Sequence, residues 1–196
     1  FRRVLFRSEG LGLRGNDSTP VNADGVHLPL SARLGADGAG FAVMMEVVLP
    51  AFSVMNAACS VGLMESAVAR TVEHAAGARW QPSGSAPADL PTVRAYIAKM
   101  RVRADMARTL WQDTIAALES GRPDAMLRVL QCKAACNDAA LEVCDLAMRV
   151  CGGAAFRGEV GVERFFRDAR AGSVMAPTSD ALYDFIGKAV CGLPVF

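Results

Sequence analysis

Residues 167–185, RDARAGSVMAPTSDALYDF, contain a break between two helical patterns and say most about the fold of the chain. A charged helical pattern runs up to Ala176-Pro177, and a new one starts at Thr178-Ser179-Asp180. Proline cannot continue a helix, whereas a threonine followed by an acidic residue is typical of a helix N-terminus. The sequence therefore predicts a corner at Ala176-Pro177 and a last helix from Thr178 to about Val190. The start of this helix is a candidate anion site, with plain capping by Thr178 as the alternative.

Further helices are predicted upstream of this corner. A first helical piece follows Gly35, and Pro50 either opens or kinks a longer helix that runs to about Arg79. That helix carries an apolar stripe: Phe52, Met55, Val61, Met64, Val68 and Val72. The next helices are expected from Thr92 to about Ser120, from Ala125 to Cys151 before Gly152-Gly153, and, as a shorter helix, over GEVGVERFFRDARAG at residues 158–172. Short loops between long helices predict an up-and-down helical bundle.

Composition favours a mainly α protein and excludes several functions. Apolar residues make up 52% of the 196 residues, aromatic residues only 7%, and the formal net charge is +1. Such a charge provides no field for nucleic acid or for an acidic membrane, and Arg101, Arg103 and Arg108 fit a solvated helix face. No apolar run approaches the roughly 20 residues that a bilayer span needs, so no membrane association is expected.

The six cysteines do not follow a metal or disulfide pattern. Cys132 and Cys136 are four residues apart, and Cys144 and Cys151 are seven apart, which places each pair on one helical face. No CxxC motif occurs, and His27 and His74 lie far from each other in sequence. We therefore expect buried, reduced thiols, no metal site and a cytoplasmic location.

The chain divides into three segments by composition. Residues 1–8, FRRVLFRS, carry three arginines and no acidic residue, fit neither a signal peptide nor a strand, and are interpreted as an extraneous segment. Residues 9–35 are rich in Gly, Pro, Asn and Asp with short alternating pieces, which is typical of the end of a β-region. Residues 36–196 form the helical bundle.

The order of these segments resembles the acyl-CoA dehydrogenase family, specifically its C-terminal helical domain with the end of the middle β-domain. The resemblance covers about residues 10–190. It is carried by LGLRGNDSTPV and VHLPLSARLGADGAGF in the β-region, GLMESAVARTVEHAAGAR and YIAKMRVRADMAR in the first two long helices, and RVCGGAAF and VERFFRDAR before the corner.

The resemblance implies FAD as the cofactor, extended across a dimer interface. Gly152 and Gly153 match the position at which the family's backbone approaches the partner's flavin cofactor. Thr178 and Asp180 match the residues on the pyrophosphate and adenosine side, Asp180 through the ribose hydroxyls. Arg79 corresponds to an FAD-binding arginine, although the motif around it departs from that of the family. The implied partners are an acyl-CoA or other small-molecule substrate and further copies of the protein, in a homodimer or homotetramer.

The residue that should act as catalytic base is absent, so the catalytic residue stays unassigned. The family removes the substrate α-proton with a glutamate at the corner or, in some members, in the first long helix; these positions are Ala176 and Phe52 here. Glu46, Glu65, Asp180 and Asp184 are nearby in sequence, but none falls on either position. Three functions remain open: an acyl-CoA dehydrogenase with a base from elsewhere, a flavin monooxygenase or hydroxylase of the same fold, and a non-catalytic flavin-binding subunit.

Overall fold

A computed structural model describes residues 2–3, 10–16 and 21–195, and it confirms the mainly α, up-and-down bundle. Five long or medium helices follow one another in the described part of the chain and are joined by loops. For the second, third and last of them the bounds agree with the sequence-based prediction to within one residue, whereas the fourth starts four residues later than predicted. The helical elements are α1 Gly40–Val43, a π-helical turn Met44–Val48, α2 Leu49–Gly77, α3 Pro91–Glu119, α4 Ala125–Cys151, α5 Val162–Val174 and α6 Ser179–Val190, with short 3₁₀ turns at Leu30–Ala32, Pro87–Asp89 and Gly152–Phe156.

Pro50 stands in the first turn of α2, directly after the π-helical turn. Proline has no N–H to donate, and its ring would clash with the carbonyl of Glu46 in a regular α-helix. The wider π-turn Met44–Val48 separates these groups, so α1 and α2 run on as one long helical segment. The proline therefore alters the helix locally and does not begin a separate one.

Helix α4 is the central helix of the bundle and packs on α2, α3, α5 and α6. Ser60 of α2 contacts Asn137 of α4, and Thr71 lies beside Cys151 further along, so α2 and α4 run parallel. Helix α3 runs antiparallel to both, since Trp111 contacts Val54 near the start of α2. This arrangement gives α4 apolar neighbours on most sides and explains why fourteen of its residues are buried.

The predicted apolar stripe of α2 is only partly correct. Val61, Met64 and Val68 belong to the main core, as expected. Met55 and Val72, however, are 61% and 42% exposed. A stripe at threes and fours drifts around a long helix because 3.6 residues make a turn, so its ends leave the face that α3 and α4 cover.

The cysteines agree with the expectation in four of six cases. Cys132, Cys136, Cys144 and Cys151 are buried and free, whereas the prediction of burial is wrong for Cys59 and Cys191, which are exposed. Burial raises the pKa of Cys144 to about 12 and also raises that of Cys151, so these thiols stay protonated. Among the described residues, no group of three or more His, Cys, Asp or Glu side chains is placed to hold a metal ion.

The segment ahead of the bundle contains little regular structure. Arg2–Arg3 pairs antiparallel with Val21–Asn22, so the expectation that residues 1–8 fit no strand is wrong at these two residues. Residues 1, 4–9 and 17–20 lie outside the described part, and with them most of the proposed extraneous segment. Leu13 N–H donates to Asp168 Oδ1 of α5 at 2.6 Å, which attaches the segment to the bundle.

The expectation that no apolar run is long enough for a bilayer span is not met: one helix of the described residues is long and apolar enough by length and composition. The helical segment Gly40–Gly77 has 38 residues and a window of mean hydropathy 1.8. One such helix is weak evidence for a membrane span, since the core helix of a bundle can be as long and as apolar. Here α2 packs against α3, α4 and α5 through its buried face.

Candidate functional site

The corner between α5 and α6 has the form that the sequence predicts. Thr178 is the N-cap of α6 in extended conformation, and its Oγ1 accepts a hydrogen bond from Ala181 N–H at 3.3 Å. The backbone carbonyl of Thr178 accepts from Leu182 N–H at 2.9 Å. The plain capping role is therefore present, while the hydroxyl hydrogen of the exposed Thr178 can still be donated to a ligand.

Three residues of α4 hydrogen-bond to residues at or next to this corner. The sequence analysis did not single them out. Lys133 Nζ donates to Met175 O at 2.9 Å and to Pro177 O at 2.6 Å. Asp138 accepts hydrogen bonds from Ser179 Oγ at 3.2 Å and from Tyr183 OH at 2.6 Å, both in α6. We call Lys133, Asn137 and Asp138 the α4 clamp. The sequence signal for it is weak: Lys133 and Asn137 are four residues apart and so lie on one face of α4, but the helix contains other polar residues as well.

Hydrogen bonding and burial shift the pKa of two side chains at the clamp. The hydrogen bond to Asp138, with burial and the carboxylate charge, raises the pKa of Tyr183 to about 12, so Tyr183 remains a donor at neutral pH. Burial lowers the pKa of Lys133, whose side chain is fully buried. Among the ion pairs of the described residues none involves Lys133, so backbone carbonyls and an aromatic ring surround its ammonium group.

An open cavity of about 670 Å³ lies beside the corner. It is bounded by the π-turn and the start of α2 on one side and by the corner and α6 on the other. Its lining is almost entirely apolar, and among the described residues the Thr178 hydroxyl is its one polar side-chain group. The lining residues are Met44, Met45, Val48, Leu49, Phe52, Ala176, Pro177, Thr178, Ala181 and Phe185. Such a cavity suits an apolar ligand with a polar group near Thr178.

Both positions named for a catalytic base lie on the wall of this one cavity. Phe52 comes from α2 and Ala176 from the corner, 124 residues later in the chain. The structure thus brings together two positions that the sequence left far apart. Neither side chain can accept a proton.

The acidic residues near these positions are all engaged elsewhere or absent from the lining. Arg101 and Arg108 both pair with Glu65, which lowers its pKa to about 2. Asp184 pairs with Lys188 at 2.9 Å. Glu46 and Asp180 are exposed, and neither lines the cavity. Within the described residues, this cavity therefore has no carboxylate for acid-base chemistry.

The other residues predicted to bind cofactor lie at the far end of the bundle. Because α2 and α4 run parallel, Arg79 after α2 and Gly152-Gly153 after α4 are at the same end. Fifteen residues of helix separate Asn137, which binds Gly172 O of α5 shortly before the corner, from Gly152, a distance of about 22 Å. The predicted residues thus form two groups in one protomer, Thr178 with Asp180 and Arg79 with Gly152 and Gly153.

Both groups fit an extended cofactor that carries phosphates. Gly152 has φ +55°, and a Cβ added at Gly152 or Gly153 would meet no heavy atom within 4 Å, so the backbone there is open to a close approach. The exposed start of the twelve-residue α6 offers a hydroxyl and a positive helix end. The exposed Arg79 folds back, and its Nη1 donates to Ala76 O at 2.5 Å and Ala78 O at 2.8 Å.

Comparison with known proteins agrees with the fold and the order of these elements. Residues 38–191 match the family model described as acyl-CoA dehydrogenase, C-terminal domain. The cyclohex-1-ene-1-carbonyl-CoA dehydrogenase of Geobacter metallireducens is 30% identical over 95% of this chain and 49% of its own length. The chain therefore spans about half of that relative.

Solved structures give the same result. A glutaryl-coenzyme A dehydrogenase in complex with glutaryl-CoA superposes with TM-score 0.79 at 26% identity, over 86% of this chain and 42% of its own. PigA, solved with FAD and proline, gives TM-score 0.77 at 22% identity, over 86% of this chain and 43% of its own, and shows the shared fold. The chain belongs to the acyl-CoA dehydrogenase family and contains the C-terminal helical domain of that family.

Proposed function

We propose that this chain is the C-terminal part of a flavin-dependent oxidoreductase that oxidises an acyl-CoA thioester between its α and β carbons. Family membership supports flavin-dependent acyl-CoA oxidation and FAD as the cofactor. The single observation that carries the proposal at the residue level is the apolar cavity beside the corner, which joins Phe52, Ala176 and Thr178.

The residues of this chain would bind, orient and exclude water. Thr178 and the start of α6 would hold the cofactor phosphates, and Gly152 and Gly153 would let the backbone approach the cofactor of a second protomer. Asp180, one turn into α6, would reach ribose hydroxyls. Bound FAD would supply the acceptor for the β-hydride of the substrate. The apolar lining from Met44 to Phe52 would surround the acyl chain and keep water away from it.

The α-proton has no acceptor among the described cavity residues, so we propose that the base comes from a part of the protein outside this chain. A positioned general base contributes about 10²–10⁴ in rate, so the proposed reaction requires one. The base-free, apolar cavity also favours a second candidate, a flavin monooxygenase or hydroxylase, because oxygen chemistry on a reduced flavin requires a dry pocket more than an α-proton base.

The placement of the predicted residues also supports an oligomer. Two cofactor-binding groups about 22 Å apart along α4 suit two cofactors, each shared between protomers, better than one cofactor held by a single chain. We propose a homodimer or homotetramer, and a cytoplasmic location from the free thiols.

The test uses the full-length protein with FAD bound, mixed anaerobically with acyl-CoA thioesters of several chain lengths. Loss of the oxidised-flavin absorbance supports the dehydrogenase. No loss, but a C4a-hydroperoxide spectrum when chemically reduced protein meets oxygen, supports the oxygenase. A protein that binds FAD but gives neither signal is the non-catalytic subunit, and one that does not bind FAD contradicts both enzyme functions.

A further inference from the structure

Lys133 is the one fully buried lysine of the described chain, and nothing in the proposed chemistry uses it. Burying an ammonium group costs several kcal/mol unless its N–H groups are satisfied. A methionine would fill a similar volume in this core without that cost. The presence of this buried charge is therefore to be explained by the groups that its N–H donors bind.

The two acceptors of Lys133 flank a single residue. Its Nζ binds the carbonyls of Met175 and Pro177, the residues immediately before and after Ala176. Both carbonyls are thereby drawn towards α4, and the side chain of Ala176 is left on the cavity wall. These bonds span 42 and 44 positions of sequence, so they act on tertiary structure and not on the helix itself.

The same ammonium group also reaches the opposite wall. Lys133 Nζ lies 5.7 Å from the centroid of the Phe52 ring, within the range of a cation–π contact. Phe52 and Ala176 both line the cavity. The buried ammonium group of Lys133 thus contacts residues on both sides of the cavity.

We propose that Lys133 is a positioning residue that fixes the corner Met175–Thr178 and the Phe52 ring relative to each other, and so sets the shape of the acyl cavity. The neighbouring clamp residues support the corner at other points. Asn137 binds Gly172 O at 3.1 Å, at the end of α5, and Asp138 binds the first turn of α6. Among the hydrogen bonds of the described residues, those of Lys133 alone hold both the Met175 carbonyl and the Pro177 carbonyl.

The test compares Lys133→Met with Lys99→Met in the full-length protein. Lys99 is exposed on α3 and is not among the cavity residues, so its replacement removes the same charge without touching the cavity. Hydrogen exchange is followed at the amides of Met175, Ala181 and Leu182, which lie on the two sides of the corner. The Met175 amide bonds Ala171 O at the end of α5, and the other two bond Thr178 at the start of α6. We expect K133M to raise their exchange rates about tenfold or more, with little change in the middle of α2 and α3, and K99M to leave them unchanged.

A uniform rise throughout the bundle, or no rise at the corner, would overturn the proposal, since the first means a general packing role and the second no role. Should K133M not fold, Lys133→Gln keeps two N–H donors without charge, and we expect a smaller rise confined to the same amides. Unchanged corner exchange in K133Q together with a weakened core would again contradict the proposal.

A binding measurement adds a readout that a purely structural role does not change, and this arm rests on the proposed function. A redox-inert acyl-CoA thioether is titrated into the FAD-loaded protein by calorimetry, with an expected rise in Kd of about tenfold for K133M and none for K99M. If the wild-type protein does not bind the thioether, the proposed function fails, and the exchange experiment still decides the role of Lys133.

Discussion

Replacing Gly172 by alanine should destabilise the bundle, although glycine to alanine within a helix ordinarily stabilises. Gly172 lies in α5 against the side chain of Asn137, which is fully buried. A Cβ at position 172 would lie 2.1 Å from Asn137 Oδ1 and 2.9 Å from its Cγ. The amide would have to move, or the helix would have to shift away from α4.

Asn137 cannot move without losing partners. Its Oδ1 accepts from Ser60 Oγ at 2.7 Å, and its Nδ2 donates to Asn56 Oδ1 at 2.9 Å and Gly172 O at 3.1 Å. Leaving buried polar groups unpaired costs about 1–3 kcal/mol, and overpacking costs a further 1–3 kcal/mol, roughly. The helix propensity of alanine returns about 1 kcal/mol. We expect a net loss of about 3 kcal/mol.

The assay is native-state hydrogen exchange of α4 and α5 in the full-length protein, because local opening is measured there without assuming two-state unfolding. A loss of about 3 kcal/mol corresponds to exchange roughly a hundredfold faster. Gly187→Ala in α6 is the matched control: its Cβ would meet nothing within 4 Å, so we expect slightly slower exchange in α6. The reasoning is refuted if G172A exchanges at the wild-type rate or more slowly.

Two further predictions concern the cavity and the ion pairs of α2. Ala176→Glu places a carboxylate on the cavity wall beside Phe52, and it should speed anaerobic flavin bleaching by acyl-CoA by about 10²–10⁴ relative to Ala176→Gln; equal rates in the two variants would show that position 176 is not next to the reacting carbon. Glu65→Gln should lower the thermal midpoint most above pH 4.5: the pKa of Glu65 falls from 4.5 to about 2 on folding, so its stabilisation is complete above 4.5 and is lost as the pH falls towards 2. A difference between wild type and E65Q that does not change over that pH range would contradict this assignment.

Local sequence signals were sufficient for the helices and for the corner. Pro91, Gly152 and Thr178 act through their own backbone geometry, so their effects on α3, α4 and α6 can be predicted without the tertiary structure. The π-turn before Pro50 is different, since the sequence allowed either a kink or a new start. The structure shows a continuous segment in which the π-helical turn accommodates the proline.

The candidate site depended on contacts that sequence reasoning does not provide. Phe52 and Ala176 were each identified by position, but their shared cavity arises from the packing of α2 against the corner. Lys133 was missed because its partners are backbone carbonyls more than forty residues away, which leave no pattern of side-chain types. The exposure of Met55 and Cys59 likewise follows from which faces of α2 the other helices cover.

The central claim is that the cavity between Phe52 and Ala176 holds the acyl part of a thioester substrate. The most direct test is a crystal structure of the full-length protein with FAD and a redox-inert acyl-CoA thioether. We predict that the acyl chain contacts Phe52 and Ala176 and that the cofactor phosphates lie at the start of α6 near Thr178. An acyl chain bound elsewhere, with the cavity closed or filled by another segment of the protein, would contradict the claim.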